Sequence, residues 1–129
     1  MTGFEKLLVW QKSKELYQEV ILLVDVLPYI YKKSLGDQMS RSALSIALNI
    51  AEGRGRATTK EYLYFLRIAK GSLEELRCQL QLYDAAQYDV KDTYQKACLL
   101  CIEVSKMLYV LMKRLREKQV NSSAETQKS

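Results

Sequence analysis

The sequence predicts an all-α chain folded as an antiparallel, up-down-up-down four-helix bundle. Three observations predict it. Apolar residues make up 48% of the 129 residues, while only 5 are Gly and 1 is Pro, so core material is ample and helix breaks are few. Apolar positions recur at three- and four-residue steps through four long segments. Short connections join those segments, and short connections make successive helices antiparallel neighbours.

The first helix is expected over about Thr2 to Leu27, with Phe4, Leu7, Leu8, Leu16, Tyr17, Val20, Leu23, Val24 and Leu27 as its stripe. Pro28 ends it, because the residue before a proline is pushed out of the α region. Tyr29 to Lys33 reads as a short turn or a single helical turn leading to Gly36, and Asp37 or Ser34 as the cap of a second helix over about Leu35 to Glu52. That helix carries two stripes. Met39, Ala43, Ile46, Ala47 and Ile50 are apolar and mostly small; Gln38, Arg41, Ser42, Ser45, Asn49 and Glu52 are polar. Small and amide side chains suit a close helix contact in which polar groups find partners across the interface. Gly53-Arg54-Gly55-Arg56 then stops the helix, with glycines suited to positive φ at a C-cap and two arginines exposed on the connection.

Thr58-Thr59-Lys60-Glu61 is a capping box, so the third helix begins near Thr59 and runs to about Ala85. Gly71 sits in its middle beside Ala69 and Ser72, where a glycine is unfavourable unless a neighbouring backbone comes close. Gln87-Tyr88-Asp89 forms the next turn. The fourth helix is expected from Lys91 to Arg116, with Tyr94, Cys98, Cys101, Val104 or Ser105, Leu108, Leu111 or Met112, and Leu115 facing the core. Residues 1–118 thus form the bundle. Residues 119–129, QVNSSAETQKS, are polar and read as a disordered tail.

Two features point beyond a lone bundle. Tyr62-Leu63-Tyr64-Phe65-Leu66 is a run of five large apolar residues, which wraps a helix instead of lining one face. Its surplus marks Tyr62, Leu63, Tyr64 and Leu66 as a self-association surface. The polar stripe of the second helix also has candidate partners on the third: Arg41 opposite Glu75 and Asn49 opposite Ser72, a pairing that fixes register.

Net charge is +5, concentrated from Lys106 to Lys118, where five bases stand against Glu117. Arg54, Arg56 and Lys60 form a second cluster on the connection before the third helix, where free helix-start amides also favour an anion. The bland reading of each cluster stays open: a solvated loop for the first, and cations favoured by the helix dipole for Lys113, Arg114, Arg116 and Lys118. Catalysis is not expected. The chain has no His, the commonest general base, and no phosphate-cradling loop of the P-loop kind. Three Cys without His suit buried reduced thiols, not a metal site, and no cofactor is expected. No apolar run approaches a membrane span and the first ten residues are not a signal peptide, which places the chain in the cytoplasm.

Several of these residues also carry a resemblance. Gln38-x-x-Arg41-Ser42-Ala43-x-Ser45-Ile46-x-x-Asn49-Ile50-Ala51-Glu52-Gly53 resembles the signature of a bacterial four-helix-bundle family encoded by intervening sequences within large-subunit ribosomal RNA genes. Glu61 with Phe65-Leu66-x-Ile68-Ala69-x-Gly71-Ser72-x-x-Glu75-Leu76 fits its third helix, and Phe4 to Leu7, Val9-Trp10-Gln11 and Leu16 fit its first. Leu48 and Leu63 stand where similar proteins vary. That family is similar to the accessory variability determinant of diversity-generating retroelements, a basic pentameric barrel that binds nucleic acid and a reverse transcriptase. The resemblance implies a homopentamer that binds RNA or DNA without reading sequence, either beside a reverse transcriptase or in a ribosomal RNA context. A protein-binding scaffold with no nucleic-acid affinity is the alternative.

Overall fold

The computed structural model describes residues 3–128, with side chains placed as far as Ser123. Among them are four long helices and no strand: α1, Leu8–Asp25; α2, Asp37–Arg54; α3, Thr59–Leu82; and α4, Lys91–Lys128. Each packs on the next, and α4 returns to pack on α1. Leu16, Val20 and Leu23 of α1 meet Met39, Ile46 and Ile50 of α2, Leu66, Leu73 and Leu76 of α3, and Val104 and Leu108 of α4 in one core.

The chain enters α1 later than its periodicity suggests. Gly3 is left-handed at φ 93°, Phe4–Lys6 form a 3₁₀ turn, and Leu7 is extended, so the helix starts at Leu8. Thr2 lies outside the described residues. Phe4 packs edge-on to Trp10 at 4.9 Å, and Gln11 Nε2 donates to the Glu5 carbonyl at 2.9 Å. These two contacts fold the entry turn onto α1.

Beyond Pro28 the chain takes the helical alternative, and the helix runs on past the single turn expected. Tyr29–Tyr31 is α-helical, Lys32–Gly36 is π-helical, and α2 follows without a break. The amides of Tyr31 and Lys32 both bond the Pro28 carbonyl at 2.9 Å. Proline tolerates that place because it has no amide to satisfy at a helix start. Neither Asp37 nor Ser34 caps α2, since the backbone is already helical at Gly36; Ser34 Oγ donates instead to the Ile30 carbonyl at 3.0 Å.

Gly53 takes the role expected of Gly71. Gly53 and Gly55 end α2 without positive φ. A Cβ on Gly53 would lie 3.0 Å from both Phe65 Cβ and Tyr62 Cδ1, so the close approach of α2 to α3 is here. Gly71 is exposed, with nothing within 4 Å of where a Cβ would stand, and the close approach expected there is absent.

Thr58 caps α3 as expected, its Oγ1 accepting from the Glu61 amide at 3.1 Å. The helix stops at Leu82, before Ala85, because Tyr83 turns extended. Tyr83 is buried there and its hydroxyl donates to the Leu23 carbonyl at 2.5 Å; Tyr94 donates to the Leu80 carbonyl at 2.7 Å. On the last helix the outcome differs from the expected tail. With no Gly or Pro after Lys91, α4 continues through residues 119–128, and Ser129 lies outside the described residues. At 1.5 Å per residue its length is about 57 Å.

Candidate nucleic-acid interface

Arg54 closes α2, Arg56 sits on the connection, and Lys60 lies in the first turn of α3. All three are exposed. The Arg54 guanidinium lies against Gly3, 3.5 Å from where a Cβ would stand. It also acts on the Tyr62 hydroxyl, which is buried without a hydrogen bond; burial pushes that phenol up, and the Arg54 charge opposes it. Arg56 pairs with Glu52 one helical turn back and lies 4.7 Å from the Phe65 ring centre. Thr58 already takes the Glu61 amide, so one of the helix-start donors expected to favour an anion is occupied.

The second cluster, Lys113, Arg114, Arg116 and Lys118, is exposed along α4. Arg114 and Lys106 flank an apolar groove of about 350 Å³ lined by Leu7, Leu8, Val9, Met107, Val110 and Leu111. Arg56 and Phe4 share a neighbouring hollow. Arg54 and Arg56 of the first cluster and Arg114 of the second therefore border the same short segment, residues 3–9. Among the seven candidate cations, only Arg56 forms an ion pair with a described residue.

Behind the arginines runs a short polar seam. Ser45 Oγ and Ser72 Oγ are 2.8 Å apart across α2 and α3. Asn49 Nδ2 donates to the Ser45 carbonyl at 2.8 Å and to Ser45 Oγ at 3.0 Å, so Asn49 reaches Ser72 only through Ser45. The pairing of Arg41 with Glu75 is not made: both are exposed and no ion pair joins them. Gln38 is exposed and Glu52 turns to Arg56, so neither belongs to the seam. Three residues make it: Ser45, Asn49 and Ser72.

The self-association surface expected on α3 is mostly core. Tyr62 is 8% exposed, Leu63 2% and Leu66 0%, while Tyr64 is 56% exposed. Helix α3 touches both α2 and α4, and two neighbours bury a wider arc than a single stripe. Exposed apolar side chains lie elsewhere, with Leu99, Ile102, Tyr109 and Val110 on α4 and Leu8 and Leu22 on α1.

Of the three thiols expected to be buried, one is. Cys101 is buried, and burial, with Cys98 beside it, pushes its thiol up to about 12. Cys98 is half-buried and Cys78 exposed. No group of three or more His, Cys, Asp or Glu among the described residues could hold a metal ion.

Sequence reasoning missed one cavity. Ser105, Tyr109, Met112 and Arg116 of α4 line about 180 Å³ together with Lys70 and Leu73 of α3. Their spacing of four, three and four residues was a readable signal of one helix face.

These features define a class: a small, basic, all-helical protein with cations grouped beside its N-terminal turn. The chain belongs to the 23S rRNA-intervening sequence protein family, whose profile matches residues 5–110. It is similar in structure to a protein of unknown function from the S23 ribosomal protein family of Bacteroides thetaiotaomicron. That similarity has a TM-score of 0.71 and 25% sequence identity, covering 81% of this chain and 95% of the other. No curated protein matches the sequence. No helix among the described residues is long and apolar enough to cross a membrane.

Proposed function

We propose that this chain is a non-catalytic, cytoplasmic, homopentameric basic bundle that binds RNA or DNA through phosphate contacts, without reading sequence. The observation that carries the reading is the flanking of residues 3–9 by arginines of both basic clusters, Arg54 and Arg56 of the first and Arg114 of the second. Antiparallel, up-down-up-down order supports it. Lys12 pairs with Glu103 and Glu19 with Lys96, while Gly53 meets Tyr62 and Ser45 meets Ser72. Cations from α2, α3 and α4 then share one end of the bundle. A ring of such ends multiplies a modest charge into a large single-sign field. The number five rests on the family resemblance, as does action in a ribosomal RNA context or beside a reverse transcriptase.

The test is a salt series on binding to an unrelated RNA and an unrelated DNA duplex. Affinity is expected at low salt and should fall steeply as salt rises, because bound phosphates release counterions. Arg54→Ala with Arg56→Ala should weaken all sequences alike and flatten the slope. Lys113→Ala, Arg114→Ala and Arg116→Ala together should do the same, and light scattering should give five times 14.9 kDa. No binding at low salt would leave the scaffold reading in its place. The apolar groove between Leu7–Val9 and α4 favours that second reading.

A further inference from the structure

The cavity between α3 and α4 has a composition that phosphate contact alone does not need. Its floor is apolar, made by Leu73, Leu108 and Met112, all buried. Tyr109 stands at its edge, 63% exposed, and Ser105 brings a hydroxyl from one turn earlier. Lys70 and Arg116 supply two cations, one from each helix, and neither is in an ion pair with a described residue. At about 180 Å³ the space is smaller than the ~300–1,000 Å³ clefts that hold drug-sized ligands. It cannot admit a helix or a duplex, but it can take one planar ring.

We propose that this cavity seats one unpaired base of a single-stranded nucleic acid. The base stacks on the Tyr109 ring over the Met112 and Leu73 floor, and the Ser105 hydroxyl meets its polar edge. Lys70 and Arg116 take the phosphates on either side. An exposed aromatic beside paired cations is the arrangement by which single strands are held without sequence preference, since every base has a π-face. In a duplex the bases are already stacked on each other and cannot enter. The site therefore adds a preference for single strands to the phosphate binding proposed above, on which it rests.

The experiment compares a labelled oligouridylate with an RNA duplex of equal length by fluorescence anisotropy, across a salt series, using the full chain. The wild type should hold the single strand more tightly. Tyr109→Ala should weaken oligouridylate binding roughly tenfold while leaving its salt slope and the duplex affinity unchanged, because stacking releases no counterion. Tyr109→Phe should bind as the wild type, and Tyr109→Leu, which keeps bulk without a π-face, should behave as the alanine variant. Lys70→Ala and Arg116→Ala should each reduce the single-strand slope by about one. Equal wild-type affinity for both nucleic acids, or an unchanged oligouridylate affinity in Tyr109→Ala, overturns the base pocket and leaves phosphate binding standing. Absence of binding to either nucleic acid overturns both, and is seen in the wild type before any variant is made.

Discussion

The two ends of the bundle, about 35 Å apart along the 24 residues of α3, use their polar side chains in opposite ways. At the far end, Tyr83 and Tyr94 stack with ring centres 6.1 Å apart, and both hydroxyls are spent on carbonyls of neighbouring helices. At the end proposed to meet phosphate, Arg54, Lys60, Lys113, Arg114, Arg116 and Lys118 are exposed with no ion pair to a described residue. The difference teaches where to look for function. A hydroxyl that gives its proton to a carbonyl at a helix end has no donor left for a partner, whereas an unpaired surface cation contributes little to folding and keeps its charge for a phosphate.

The largest effect is expected at the tyrosine end. Tyr83→Ala removes a buried ring and should cost about 3–5 kcal/mol in urea unfolding. Tyr83→Phe, losing only the hydroxyl bond, should cost about 1 kcal/mol. Neither should change nucleic-acid affinity under conditions where the variant is folded; a loss of binding in Tyr83→Phe would break the division between the ends. Burial also pushes the Tyr83 phenol from 10.0 up to about 12 and the Cys101 thiol from 9.0 up to about 12. Both groups are neutral when protonated, and the unfolded chain releases their protons first as pH rises. Their contribution is complete below pH 9 and is lost progressively towards pH 12, so alkaline unfolding should begin in that window. Cys101→Ala should weaken the lower part of that dependence.

A smaller loss is expected where the basic end is anchored. Gly53→Ala places a methyl 3.0 Å from Tyr62 and Phe65 and should destabilise by about 1–3 kcal/mol through overpacking. Because Arg54 follows directly, this variant should also weaken RNA binding modestly, measured by the same anisotropy assay at a temperature where it is folded. Full stability in Gly53→Ala would mean that α2 and α3 are not held together at this point.

Much of this was legible in the sequence, and the exceptions have physical causes. The Thr58 cap was readable because a capping box acts over four residues and needs no tertiary partner. The stripes of α2 and α4 were readable because helical period and burial coincide there. The run Tyr62 to Leu66 misled because the width of a buried arc depends on how many neighbours a helix has, which is a tertiary fact. The tail misled because polar composition does not by itself end a helix when no Gly or Pro intervenes. Arg41 and Glu75 misled because complementary charge in sequence order carries no information on whether two long side chains leave water. The Ser45–Ser72 contact, between short, half-buried side chains that meet directly across the interface, is the part of that seam that packing enforces.

The smallest effect separates two residues that look alike in sequence. Gly71 lies near the middle of α3, on its exposed face, and belongs to neither end. With open space where a side chain would be, its only consequence is the backbone freedom a helical glycine loses on folding. Gly71→Ala should therefore raise stability by about 0.5–1 kcal/mol, opposite in sign to Gly53→Ala. Urea unfolding of the two variants side by side reads the sign directly. RNA affinity of Gly71→Ala should match the wild type, since no cation moves. If Gly71→Ala instead destabilised the assembled protein at micromolar concentration and stabilised it on dilution, the exposed face of α3 would be where another subunit comes close. The glycine would then mark a contact between chains, of the kind that Gly53 marks within one.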